Sequence, residues 1–201
     1  SGKWANTSNQ ADVFTVNNAQ ATNWATTSET VILGYDPADT HTTNFWEELD
    51  DISWSSGGTI ASNTFTAKKY LWIQGWYKTD NTNGNIRQRF NGDTGANYAN
   101  RYSTNGSADS TEASLTFNYI QTGGDQNNTV FFNQFIINNS ANEKLILHHV
   151  TLNNTAGAGV APIREESANK WVNTSSQITS FSIYRSAGNF SAGQLKVWGS
   201  N

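Results

Sequence analysis

The residues able to do chemistry in this chain come mainly as adjacent pairs. Glu47/Glu48, Asp50/Asp51 and Glu165/Glu166 are paired carboxylates. A glycosidase needs two carboxyls facing each other across a cleft, and neighbours along one strand or one helical turn do not converge in that way. His148-His149 lies in an alternating segment. Consecutive residues of a strand face opposite sides, so this pair predicts one ring turned outward and one packed inside, not a chelate. Asp36-Pro37-Ala38-Asp39-Thr40-His41 gathers two carboxylates and an imidazole on one loop. Calcium favours oxygen-rich loops, but the Asp-x-Asp-x-Asp-Gly spacing is absent, and the stretch reads as a solvated acidic turn. No nucleophile elbow, glycine-rich phosphate loop or histidine-rich metal motif occurs. The expectation is a protein that is not an enzyme, with no catalytic residue, no metal and no cofactor.

The aromatic residues offer a different chemistry. The chain has 8 Trp, and sugars stack on exposed aromatic faces while hydrogen-bonding to nearby Asn, Gln and Asp. Trp72, Trp76, Tyr98 and Tyr102 are the candidates for such ligand binding. The competing reading is core packing, because each ring buries a large apolar area. The Asn-x-Ser/Thr tripeptides at Asn6, Asn105, Asn127, Asn138, Asn153, Asn173 and Asn189 decide little, since a chain this rich in Asn, Ser and Thr produces several by chance.

Composition narrows the partners. Charged residues make up only 14% of the 201 positions and the formal net charge is −4, so the polar surface must be mostly neutral. Disorder needs few aromatics and a high net charge; here aromatics are 12%. With 12 Lys+Arg spread along the chain and no basic block, nucleic acid is not an expected partner. No apolar run approaches membrane-spanning length, so no membrane insertion is expected. Cys and Met are both 0, which removes disulfide and thiol chemistry and suits exposure outside a cell.

The elements that must position these residues are strands. The segment Lys69-Tyr70-Leu71-Trp72-Ile73-Gln74-Gly75-Trp76-Tyr77-Lys78 has period two. Tyr70, Trp72, Gln74 and Trp76 point one way, and Leu71, Ile73 and Tyr77 the other. Its richness on both faces predicts a central strand. Further strands are predicted over 28–34, 52–55, 59–66, 85–90, 113–121, 130–138, 144–153, 163–172, 177–185 and 194–199. About ten strands separated by polar turns predict an all-β, antiparallel, jelly-roll-like β-sandwich. Ser56-Gly57-Gly58 reads as a tight hairpin. Thr43-Asn44-Phe45-Trp46-Glu47-Glu48-Leu49 reads as a short helical turn. Residues 91–111 read as one long loop carrying Tyr98, Arg101 and Tyr102.

One octapeptide occurs twice. Lys3-Trp4-Ala5-Asn6-Thr7-Ser8-Asn9-Gln10 and Lys170-Trp171-Val172-Asn173-Thr174-Ser175-Ser176-Gln177 agree at Lys, Trp, Asn, Thr, Ser and Gln. Each runs into an alternating segment, Val13-Phe14-Thr15-Val16 in the first case. A chain with a spare copy of one of its own strands can lend it to a neighbour by strand addition. The expected organisation is an N-terminal arm over 1–25, exchanged between subunits, and a single sandwich domain over 26–201. Lys3, Trp4, Val13, Phe14 and Val16 are the assembly candidates.

Three blocks in order carry a resemblance. The first is Leu33-Gly34-Tyr35-Asp36-Pro37-Ala38-Asp39-Thr40-His41, followed by Phe45-Trp46-Glu47-Glu48-Leu49. The second is Arg89-Phe90-Asn91-Gly92-Asp93-Thr94-Gly95-Ala96-Asn97-Tyr98-Ala99. The third runs from Thr155 to Pro162, resumes at Lys170, and closes on Gly188-Asn189-Phe190-Ser191-Ala192-Gly193-Gln194-Leu195-Lys196-Val197-Trp198-Gly199. Together, over about residues 29–199, they resemble jelly-roll-like β-sandwich structural proteins of marine phages and environmental viruses. The resemblance implies a virion component, a capsid decoration protein or a tail or fibre module, and transfers no catalytic residue. The expected function is therefore a non-enzymatic virion structural protein in a symmetric assembly, on the virion surface or extracellular, a homo-oligomer whose partners are copies of itself and other virion or filament proteins. The alternatives are a subunit of an extracellular filament joined by strand donation, and a carbohydrate-binding attachment module recognising surface glycans.

Overall fold

The computed structural model describes residues 15–16, 30, 45–122, 127–154 and 157–201. The chain divides into two units, Ser1–Thr42 and Thr43–Asn201. In the first, only Thr15, Val16 and Thr30 are described. The second is all-β, with twelve strands among its described residues where the sequence predicts about ten. They are β1 (Glu47–Trp54), β2 (Thr59–Ala61), β3 (Tyr70–Thr79), β4 (Ile86–Phe90), β5 (Tyr98–Thr104), β6 (Ser110–Leu115), β7 (Asn118–Gln121), β8 (Thr129–Ile137), β9 (Lys144–Leu152), β10 (Ile163–Trp171), β11 (Phe181–Arg185) and β12 (Phe190–Ser200).

Two antiparallel sheets form a β-sandwich. The larger has eight strands in the order β1-β12-β3-β8-β9-β10-β5-β6, and the smaller has four in the order β2-β11-β4-β7. Pairing is nested: β1 with β12, β2 with β11, and β5 with β10. The early strands thus pair with the late ones, as in a ribbon rolled on itself. β3 lies between β12 and β8, the central place its two rich faces predict.

The alternation written in the sequence becomes the two faces of the large sheet. In β9 the burial pattern alternates strictly, with Ile146, His148, Val150 and Leu152 inward and Leu145, Leu147, His149 and Thr151 outward. The inward residues of β3 are Leu71, Ile73 and Tyr77. They pack with Phe132, Leu195 and Val197 and, from the small sheet, with Ile86, Phe90, Phe181 and Ile183. Each large side chain fully buried in this way contributes about 1.5–3 kcal/mol.

Four expectations are corrected. Residues 47–49 are not helical but open β1, because pairing of Glu47 with Gly199 and Glu48 with Trp198 outweighs the weak local preference for helix. Ser56-Gly57-Gly58 is not a hairpin turn. β1 and β2 belong to different sheets, and Gly57, at φ 132°, carries the chain between them while bridging to Phe190. The stretch 91–111 is not one loop, since it contains β5, held on both sides by β10 and β6. The strand predicted over 113–121 is two strands, β6 and β7, which lie in different sheets.

Candidate functional site

The outward side chains of the large sheet stand in rows, set by the strand register. One row runs Glu48, Trp198, Trp72, Phe135, Leu147, Ala168, Arg101 across seven strands. The row beside it runs Tyr70, Ile137, Leu145, Lys170. Between the charged ends, the interior of this double row is apolar. Ile137 is 47% exposed, Leu145 54%, Leu147 63% and Phe135 43%. These values belong to side chains that face water on the middle strands of a sheet.

The aromatics of this band pack along the surface. Trp72 stacks on Trp198 with ring centroids 4.5 Å apart and on Phe135 at 5.8 Å. Trp46 meets Trp72 edge-on at 5.8 Å, and Phe45 meets Trp46 at 5.3 Å. The indole N–H of Trp72 donates to Asn133 Oδ1, which fixes the ring orientation. A third row, Lys196, Gln74, Asn133, His149, Glu166, is polar. Beyond it, Trp76 and Phe131 pair across β3 and β8, 42% and 45% exposed. A contiguous exposed apolar area of this kind marks an interaction surface more often than a free one.

Charge closes one edge of the band. Lys196 Nζ lies 2.8 Å from Glu48 Oε2 and 3.1 Å from Asp51 Oδ2. Gln194 Nε2 donates to Asp51 Oδ1 at 2.9 Å; this bond and the Lys196 ammonium hold the Asp51 carboxyl below its ordinary range. Asp50 turns to the loop after β2 and accepts from the backbone N–H and side-chain amide of Asn63 at 2.9 and 3.0 Å. Glu47 pairs with Lys68 at 2.6 Å.

The four aromatic ligand candidates do not come together. Trp72 and Trp76 are on the outer face. Tyr98 is buried, its hydroxyl donating to the Asp93 carbonyl at 3.2 Å and accepting from the Phe90 N–H at 3.1 Å. Burial pushes its hydroxyl well above the ordinary tyrosine value. Tyr102 pairs with Ser167 on the inner side and donates to Glu112 at 3.3 Å. Both tyrosines are tied to the fold, because their strand sets them on the face that packs against β7.

The paired carboxylates and histidines separate as strand geometry requires. Glu165 is buried and accepts from the N–H and hydroxyl of Thr122 at 3.2 and 2.8 Å. Burial raises its pKa despite these bonds. Glu166 points out, 3.6 Å from Arg164. His148 is buried with Nε2 2.8 Å from the Ile120 carbonyl, while His149 is exposed in the polar outer row. Among the described residues no three His, Cys, Asp or Glu side chains gather as a metal site would require. Asp36, Asp39 and His41 lie outside the described residues, as do Lys3, Trp4, Val13 and Phe14; Val16 is described and 45% exposed.

Sequence reasoning did not single out Trp198, Phe135, Ile137, Leu145 or Leu147. The signal was present in the apolar residues at both alternating sets of positions in β8 and β9, which two-sided burial would also produce. No family model, no curated protein and no solved structure matches this chain.

Proposed function

We propose that this protein is a non-enzymatic structural component of a virus particle, a sandwich module that joins a symmetric assembly through the outer face of its large sheet. The observation that carries this reading is the apolar double row of Trp72, Trp198, Phe135, Leu147, Ile137 and Leu145, flanked by the polar row Lys196, Gln74, Asn133, His149, Glu166. Phe135, Ile137, Leu145 and Leu147 are already about half covered, so covering the rest of each contributes roughly half of the ~1.5–3 kcal/mol that full burial gives, before the costs of association. An outward sheet face can pair with the same face of a second copy across a two-fold axis, the arrangement commonest among homo-oligomers. The ordered blocks of sequence that resemble phage structural proteins supply the choice of particle.

The test is Leu147→Glu combined with Leu145→Glu, measured by light scattering and by electron microscopy of the native source. Both positions are exposed, so each substitution shifts the monomer's melting temperature by no more than roughly 1–2 °C. The expected result is loss of the oligomer and its particles in the variant only. An intact protein that stays monomeric at high concentration and decorates no particle overturns the reading.

A carbohydrate-binding attachment module is the second reading. Trp76 and Phe131 support it, standing exposed beside the hydrogen-bonding row of Gln74, Asn133, His149 and Glu166. Glycan-array binding by the monomer, abolished by Trp76→Ala and untouched by Leu147→Glu, favours it over assembly.

A further inference from the structure

The repeated octapeptide is the start of a longer repeat. After Gln10 and Gln177, Phe14-Thr15-Val16 corresponds to Phe181-Ser182-Ile183 without a gap. With one extra residue in the first copy, Asn23-Trp24 corresponds to Asn189-Phe190, and with a second, Ile32-x-Gly34 corresponds to Val197-x-Gly199. Residues 3–34 therefore repeat residues 170–199, which here form the end of β10, a turn, β11 and most of β12. The first copy lies wholly in the unit Ser1–Thr42.

The structure shows what the repeated residues do in the second copy. Trp171 is buried and its Nε1 donates to Asp93 Oδ2 at 2.7 Å. Lys170 pairs with Glu143 at 2.9 Å. Asn173 Oδ1 accepts from the N–H groups of Ser175 and Ser176 at 3.0 and 2.8 Å, which shapes the turn. Gln177 Nε2 donates to the Asn138 carbonyl at 2.8 Å. Phe181, Ile183, Phe190 and Val197 fill the core. At Gly199 a Cβ would stand 2.5 Å from Lys68 Cγ and 2.6 Å from Leu49 Cδ1, so any other residue there makes those two side chains move. Within the octapeptide the two positions that differ, Val172 and Ser176, are both exposed. The two copies share a Trp, a Phe and, after the two extra residues, a Gly at positions that are buried in the second copy, which the abundance of Asn, Thr and Ser does not account for.

We propose that residues 3–34 are a closing ribbon for another sandwich of this same fold, filling there the place that residues 170–199 fill here. Within this sandwich that place is already taken by β11 and β12, each held between two neighbours. The recipient is a related sandwich and not an identical one. Ala11 stands where Ile178 is buried and, with the second extra residue placed between Trp24 and Ser28, Thr30 stands where Leu195 is buried and Ser28 at Gly193, where a Cβ would lie 2.2 Å from Trp54. The recipient therefore has a larger neighbour opposite Ala11 and no indole at the position of Trp54. Such a ribbon ties one sandwich to the next along a head-to-tail series, whether the two lie on one polypeptide or on two. This inference is independent of the apolar outer face.

The test places a sandwich without its own ribbon in front of the intact chain. Residues 43–169 are fused directly to Lys3 of the full chain, so that Asn169 is followed by Lys3 as it is normally by Lys170. A companion fusion carries Ala11→Ile, Ser28→Gly and Thr30→Leu to match this sandwich. In a separate arm, a chain ending at residue 169 is mixed with the full chain carrying the same three substitutions. The expected result is a second protease-resistant, cooperatively melting sandwich in the companion fusion, lost on Trp4→Ala or Phe14→Ala while the sandwich closed by its own ribbon melts unchanged. Success in the fusion alone assigns the recipient to the same polypeptide, and success in the mixture as well extends it to a separate one. If the added sandwich is degraded in the companion fusion and in the mixture as readily as in the Trp4→Ala control, the proposal is overturned.

Discussion

His148 shows how much one buried side chain can write into the pH dependence of the fold. Its Nε2 faces the Ile120 carbonyl, which only accepts, so the buried ring is the neutral Nε2–H tautomer. Burial, with a smaller contribution from His149, lowers its pKa to about 3 although the carbonyl bond favours the charged ring. A depressed folded value means stability that is fully present above the unfolded value of about 6.5 and is lost as pH falls toward the folded one. We expect the protein to lose up to about 1.4 kcal/mol per pH unit on acidification below about 6.5. Glu165 works in the opposite direction: its pKa is raised by burial, so its contribution is present below the unfolded value and fades as pH rises through the folded one. For Asp80, burial raises the pKa but is outweighed. N–H bonds from Thr82 at 2.9 Å and Asn189 at 2.6 Å, and Arg185 at 2.6 Å, hold it at about 2. Its share is thus lost only between about pH 4 and 2. Chemical denaturation of His148→Gln across pH 4–7 isolates the first effect. The variant should lose the acid slope while keeping a bond to Ile120; an unchanged slope would show that His148 is already charged in the fold.

Among the elements, β3 is where local pattern and tertiary position agree most closely. Gly75 is its one inward residue without a side chain, opposite Leu195 and Phe132. A Cβ there would stand 2.3 Å from Leu195 Cδ2 and 2.5 Å from the Gln194 carbonyl oxygen. Neither the packed leucine nor the backbone of β12 can yield cheaply. Gly75→Ala should destabilise by about 1–3 kcal/mol, read as a lower midpoint in urea with an unchanged slope; a midpoint within error of the parent would mean that β12 shifts freely. Strands of this kind were legible because short runs rich in aliphatic and aromatic residues, bounded by polar turns, mark them, as in β3, β8 and β9. β5 was not legible. Its sequence, YANRYST, carries few apolar residues, and its order comes from main-chain pairing with β10 and β6, and from the hydroxyl bonds of Tyr98 and Tyr102. β1 was misread for a related reason: Glu47, Glu48 and Leu49 favour helix weakly, and their partner on β12 is far along the chain. The outer apolar band was half legible. Alternation placed Trp72 and Trp76 on one face, but only the register shows that Trp198, Phe135 and Leu147 stand in the same row.

At the scale of the whole molecule the nested pairing sets both the strength and the slowness of the fold. β12 is a central strand of the large sheet and joins β1 to β3, so both neighbours come from the early part of the sandwich. β11 does the same in the small sheet, between β2 and β4. Neither sheet is complete until the last strands arrive, and their arrival closes loops that span most of the sandwich. Loop-closure entropy must be met before those contacts form. Hydrophobic side chains of the outer band are then exposed alongside unpaired strand edges, a combination that favours aggregation of partly folded chains. We expect refolding after dilution from denaturant on a timescale of milliseconds to seconds or slower, with yield falling as protein concentration rises. Slow refolding should persist in the Leu145→Glu, Leu147→Glu chain, because topology is unchanged, while the yield improves, because the sticky band is gone. Removal of the β12 residues should abolish cooperative unfolding altogether, since β1 and β3 lose their shared neighbour. Stopped-flow fluorescence of the Trp residues reads the rate, and circular dichroism reads the cooperativity. Microsecond refolding, or a cooperative melt without β12, would show that the sandwich is held by local pairings and not by the closure of its first strands on its last.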